Sequence, residues 1–260
     1  MISPPAPKNC VLIGGQLSIG CTPTIDDYVM DLARARSSGK VRALHIGTAN
    51  GDAQKDEVEF NATYGSRLGC DVSHARFVTD PKNFKNFSLE DFDIIYMSGG
   101  NPYAFKVLGP VEWFREQLRR AYDSGVVIVG NSAGALILGN CWSNPHNVRP
   151  ESSRVFRAFN VIENASFFAH FEDYAGLFVD DGKELPSEEF LKRMHELLKK
   201  KACVGNSDFY SFGLWENSAL AVSWSLDSDG SEKCTARSVG TREIMYMNGK
   251  PSPEYVKRIC

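Results

Sequence analysis

The sequence predicts an α/β protein with a mostly parallel central sheet and helices on both faces. Three observations carry this expectation. Short apolar runs recur through the first half of the chain, most of them end in glycines or small polar residues, and segments with helical spacing separate several of them. Runs that are apolar throughout, instead of alternating, are what strands buried on both faces require.

The elements follow in order. Residues 10–16 (CVLIGGQ) read as a strand ending in two glycines, and 41–52 (VRALHIGTANGD) as a second strand entering a small, polar loop. Residues 56–72 read as a helix running to Gly69 and then the start of a strand. Residues 92–102 (FDIIYMSGGNP) form another strand that opens into glycines. In 110–125, Val111, Phe114, Leu118 and Tyr122 recur at helical spacing, and Gly125 supplies a stop. A strand at 126–129 then meets Gly130-Asn131-Ser132. In open parallel sheets, sites gather outside the carboxyl ends of the strands. Those ends are Gly14-Gly15, Thr48-Ala49-Asn50, Gly99-Gly100-Asn101 and Gly130-Asn131-Ser132.

The second half is less regular. Residues 140–156 have loop composition. Residues 186–201 form an amphipathic helix with Ser187 and two glutamates at its start and three lysines at its end, which suits the helix dipole. Residues 213–224 and 242–252 read as strands, the latter ending in an Asn248-Gly249 turn. No linker divides the 260 residues, so they are expected to form one domain with a flexible arm over residues 1–9.

Bulk properties narrow the function classes. A net charge of −3 gives no sign of a nucleic-acid partner, and no apolar run is long enough to span a membrane. The odd set of seven cysteines contains no CxxC pair, and the five histidines show no HxxxH spacing. A metal-free, cofactor-free protein of the cytoplasm is the expectation.

Gly130-Asn131-Ser132-Ala133-Gly134 fits G-x-S-x-G between a strand and a helix. A sharp turn there lifts the serine oxygen clear of the sheet, and the glycines remove side chains that would collide. Such a serine needs a base and an oxyanion hole. Gly99-Gly100-Asn101 closes the preceding strand and offers backbone N–H groups. His45 and His74 lie in or near strands and suit hydrogen-bonded core roles, while His195 falls at the edge of a solvated helix face. His146 and His170 remain, and His170, closing NASFFAH, suits a base held at a strand end. Glu216, a plausible acid, follows His170 in the chain. No histidine follows residue 195, which argues against the Ser, Asp/Glu, His order of α/β-hydrolases.

These residues resemble the serine peptidase family of dipeptidase E and cyanophycinase, whose fold is similar to that of class I glutamine amidotransferases, a flavodoxin-like three-layer sandwich. The resemblance covers most of the chain through MSGGNPYAF (97–105), GNSAGA (130–135), FFAHF (167–171) and GLWENSALAV (213–222), with IGTANGD (46–52) cyanophycinase-like. It implies Ser132 as nucleophile, His170 as general base, Glu216 as the orienting acid with Glu151 as the alternative, and Gly100 and Ala133 as oxyanion donors. Asn101 is a candidate substrate-binding residue. Glu172 and Asp173 are expected to face solvent. The implied reaction is hydrolysis of short peptides through an acyl-enzyme on Ser132, with no metal or cofactor, in a monomer or homodimer. The family associates an arginine after the histidine with reading an N-terminal aspartate; residues 172–190 contain none, and Lys183 is their only basic residue. A cationic or neutral N-terminal residue fits at least as well. The alternatives are a non-catalytic binding protein on the same scaffold and a serine esterase. Cys141, seven residues past Gly134, is expected in a buried helix end and too far from the turn to replace Ser132.

Overall fold

The computed structural model describes residues 6–16, 18–80, 88–107, 111–143, 153–173, 179–180, 183–201, 209–227, 229–250 and 252–258. Its centre is a seven-stranded sheet. Strand β1 (Lys8–Ile13) pairs in parallel with β5 (Val127–Asn131), and β4 (Ile94–Met97), β2 (Arg42–Ile46) and β3 (Asp71–Ala75) continue the parallel run. On the other side of β1 lie β12 (Ser218–Leu226) and β13 (Glu232–Gly240), both added antiparallel. The arm expected over residues 1–9 therefore ends sooner, because Lys8 and Asn9 already pair with β12.

The continuous apolar runs have the physical cause inferred from them. In β1, Cys10 and Leu12 point into one core while Val11 and Ile13 point into another on the opposite face. The same alternation splits Ile95 and Met97 from Ile94 and Tyr96 in β4. Helix α1 (Pro23–Arg36) buries Ile25, Val29, Met30 and Ala33 on one face of the sheet, joined by Phe60 of α2 (Gln54–Phe60). Helix α3 (Val111–Asp123) buries Phe114, Leu118 and Tyr122 on the other, beside α4 (Ala133–Leu138). Helix α2 runs on as a π-helical stretch, Asn61–Arg67, so the helix expected over 56–69 is present but changes its winding halfway.

A second sheet is built from the latter part of the chain. Strands β6 (Cys141–Ser143) and β7 (Val155–Arg157) form a small ribbon. Strand β8 (Ala165–Phe168) pairs in parallel with β11 (Tyr210–Gly213), and β14 (Ile244–Met247) and β15 (Glu254–Val256) complete four strands. The two-residue strands β9 (Val179–Asp180) and β10 (Lys183–Glu184) form a separate hairpin. Helix α5 (Ser187–Lys201) packs Phe190, Leu191, Met194 and Leu198 against Phe168, Phe209, Met245 and Met247 of this layer.

Three expectations need correction. His195 does not border solvent: it is 2% exposed, its Nδ1 lies 3.1 Å from Ser211 Oγ, and its ring faces Phe209. Cys141 is buried as expected, but it opens a strand and not a helix end. The strand expected over 213–224 is two elements, β11 and β12, separated by a turn with Asn217 at φ 54°. His146 and Glu151 lie outside the described residues. Among the described residues, no helix is long and apolar enough to cross a membrane.

Candidate active site

The carboxyl ends of β1, β2, β4 and β5 border one cleft of about 460 Å³, where Gln16, Asn50, Gly99, Gly100 and Ser132 meet. Ser132 sits between β5 and α4 with φ 49° and ψ −112°. Positive φ is costly for any residue with a side chain, on the order of 1–3 kcal/mol, and persists only where the surroundings enforce it. Here they do. A Cβ on Gly134 would lie 2.2 Å from the Met97 carbonyl oxygen, so only glycine lets α4 begin this close to β4. The Ser132 N–H is tied to the Ile13 carbonyl at 3.0 Å.

His170 follows β8 of the second sheet, and Glu216 follows β11. Their strands pair in parallel, so the two residues leave the sheet side by side at its edge against β1. The Ser132 Oγ lies 2.8 Å from His170 Nε2, and His170 Nδ1 lies 2.9 Å from Glu216 Oε1. A carboxylate only accepts, so Nδ1 carries the proton and the Nε2 lone pair faces the serine hydroxyl. The imidazole rests on Gly15, where a Cβ would stand 2.3 Å from its Cε1.

Three successive carbonyls at the end of β1 hold Ser132, His170 and Asn217, the neighbour of Glu216, in register. Ile13 accepts from Ser132, Gly14 accepts the His170 N–H at 2.7 Å, and Gly15 accepts the Asn217 N–H at 2.9 Å. Glu172, expected to face solvent, instead accepts the Glu216 N–H with both carboxylate oxygens, at 2.9 and 3.0 Å. Its place two residues after His170 is the one sequence signal that pointed there, and proximity alone does not distinguish a brace from a solvated side chain.

Gly100 lines the cleft beside Ser132, and Ala133 directly follows the serine. Ala133 is the first residue of α4, so its N–H has no acceptor within the helix. The Gly100 N–H donates to no backbone carbonyl among the described residues. Asn101 is not brought into the cleft wall. It is exposed, its N–H donates to the Ala49 carbonyl, and its side-chain oxygen accepts from the Tyr103 N–H. His45 has the hydrogen-bonded core role expected of it, whereas His74 is hydrogen-bonded but only partly buried. His45 Nε2 lies 2.7 Å from Ser98 Oγ, and His74 bridges His45 and Asn61. Burial, with His74 adding to it, holds the His45 pKa down at about 3.

Comparison with known proteins follows the same residues. The model of peptidase family S51 matches residues 11–223, a span that contains Ser132, His170 and Glu216. The uncharacterized peptidase YgaJ of Bacillus subtilis (strain 168) is 31% identical over 120 residues, 46% of this chain; the match spans 48% of that protein, about half its length. The crystal structure of a peptidase from an acI-B1 Actinobacterium superposes with a TM-score of 0.65 at 20% identity, covering 96% of this chain and 94% of that one. At that identity the superposition establishes a shared fold.

Proposed function

Because the chain belongs to peptidase family S51, the dipeptidase E family of serine-type peptidases, we propose that it hydrolyses short peptides through an acyl-enzyme on Ser132. The observation that carries this reading is the hydrogen-bonded chain from Ser132 Oγ through His170 to Glu216, at 2.8 and 2.9 Å.

In this mechanism His170 Nε2 takes the Ser132 proton as Oγ attacks the scissile carbonyl. Glu216 keeps the imidazole in the productive tautomer and stabilises the imidazolium that forms. The N–H groups of Gly100 and Ala133 receive the oxyanion, each such donor typically contributing about 3 kcal/mol to the transition state. The imidazolium protonates the leaving amine. Water, activated by His170, then releases the acyl group and restores the serine.

The test is labelling with a fluorophosphonate probe read by intact-protein mass, alongside turnover of a dipeptide library. One adduct on the wild type, none on Ser132→Ala, and loss of turnover in both Ser132→Ala and His170→Ala are expected. Peptide cleavage that survives Ser132→Ala would remove the serine from the mechanism. Turnover of simple esters with no peptide cleaved would favour the esterase.

A further inference from the structure

One wall of the cleft is acidic, and it is built by α2. Asp56 and Glu59 both line the cleft beside Ser132 and His170, and both are partly buried. Their positions are held. Asn50 Nδ2 donates to Asp56 Oδ2 at 2.8 Å, and the Ile19 N–H donates to Glu59 Oε2 at 3.1 Å. The Ile19 carbonyl in turn accepts from Thr63 Oγ1, so both backbone groups of Ile19 are fastened to the α2 side of the cleft. Asn50 is also next to Gly100, where a Cβ would lie 3.0 Å from its backbone nitrogen.

The charge on this wall is only partly offset, by Lys55, which lines the same cleft. Lys55 lies 3.6 Å from Glu59 Oε1, but its side chain is 74% exposed, and an ion pair that open to water contributes little. A second observation points to a ligand that donates. Asn131, the residue before Ser132, is 7% exposed and lines the same cleft, and its Oδ1 is buried with no hydrogen-bond partner among the described residues. A buried acceptor left without a donor is unfavourable, and an N–H group that reached it on binding would satisfy it.

We propose that Asp56 and Glu59 select a positively charged group on the substrate, with Asn131 Oδ1 accepting from a neighbouring N–H. The substrate class is a short peptide carrying a cation next to the scissile bond. That cation is either the free α-ammonium or a lysine or arginine side chain at the N-terminal residue, and both offer the same N–H donors and charge. The proposal rests on the peptidase reading for its setting, but its test does not require turnover.

Binding is measured by calorimetry on Ser132→Ala protein, so that probes stay intact. The probes are Leu-Ala, Arg-Ala, their N-acetyl forms, and Asp-Ala. Recognition of the α-ammonium makes Leu-Ala bind about tenfold tighter than N-acetyl-Leu-Ala. Recognition of the side chain makes N-acetyl-Arg-Ala bind tighter than N-acetyl-Leu-Ala by a similar factor. Either preference falls toward parity when Asp56→Asn and Glu59→Gln are added. It also weakens in the Ser132→Ala protein itself as salt rises from about 50 to about 500 mM, a readout independent of how the added variants fold. Equal binding of charged and neutral probes, no binding of any, tightest binding of Asp-Ala that is unchanged by both substitutions, or a cation preference that survives them would overturn the proposal. A cation preference in a wild type that cleaves none of these peptides would instead sink only the peptidase reading.

Discussion

The backbone N–H of His170 donates to the carbonyl of Gly14 at 2.7 Å, which fastens a residue of the second sheet to the end of the first strand of the central sheet. With Ile13 holding Ser132 and Gly15 holding Asn217, one tripeptide sets the spacing of groups drawn from three separate parts of the chain. The candidate site is a junction between two sheets, and its geometry is as firm as that junction.

Gly15 carries the first prediction. Gly15→Ala puts a methyl 2.3 Å from His170 Cε1, so the ring must move away from Ser132. A displacement near 1 Å at a reacting group costs on the order of 10²-fold in rate. The expected outcome is a fall of about that size in kcat, with KM changed much less. Wild-type kcat in this variant would show that the ring is not held by this contact.

Glu172 braces the acid. Glu172→Ala leaves the Glu216 N–H without its acceptor and loosens the loop that presents the carboxylate. We expect kcat to fall about tenfold, the equivalent of roughly 1.4 kcal/mol, while Glu172→Gln, which keeps an acceptor oxygen, recovers most of it. Equal losses in the two variants would point to charge and not to the hydrogen bond.

Backbone strain at Ser132 makes a stability prediction that reverses the usual order. Glycine ordinarily costs a protein about 0.5–1 kcal/mol relative to alanine. At φ 49° and ψ −112° the strain relieved by removing Cβ is larger, so Ser132→Gly should be more stable than Ser132→Ala by about 1 kcal/mol. Urea denaturation of the two variants decides it, and both lack the hydroxyl, so that loss cancels.

Acid stability follows from three buried groups. Burial holds His45 at about 3 and, with Lys199 adding to it, His195 at about 4, both from a reference value of 6.5. Each is a depressed pKa, so its contribution is present above pH 6.5 and is lost as pH falls toward the folded value. Asp26 acts in the opposite sense: burial raises it from 3.8 to about 6, so its contribution is lost as pH rises from 3.8 through 6. Near pH 5 the unfolded chain binds two more protons at the histidines and one fewer at Asp26. The net is one proton, or about 1.4 kcal/mol of stability lost per pH unit on acidification. Unfolding free energies at pH 5 and pH 6 check the slope, and Asp26→Asn should steepen it. A flat profile would contradict the burial of the two histidines.

Local events were legible in the chain alone. Uninterrupted apolar runs marked strands buried on two faces, because a strand with one wet face must alternate. Small residues around Ser132 marked a turn that only glycines permit, and the strand ends marked the border of the cleft. Helix α1 was not anticipated, although Thr22-Pro23 followed by Ile25, Val29, Met30 and Ala33 is a helix start with an apolar stripe. Features that depend on distant segments meeting came from three-dimensional packing. That Glu172 turns inward and that His195 is buried under the second sheet follow from packing between elements far apart in the chain, which carries no local periodicity to read. The same holds for the carbonyls of Ile13, Gly14 and Gly15: every residue has such an acceptor, and only the fold determines which of them receives a donor.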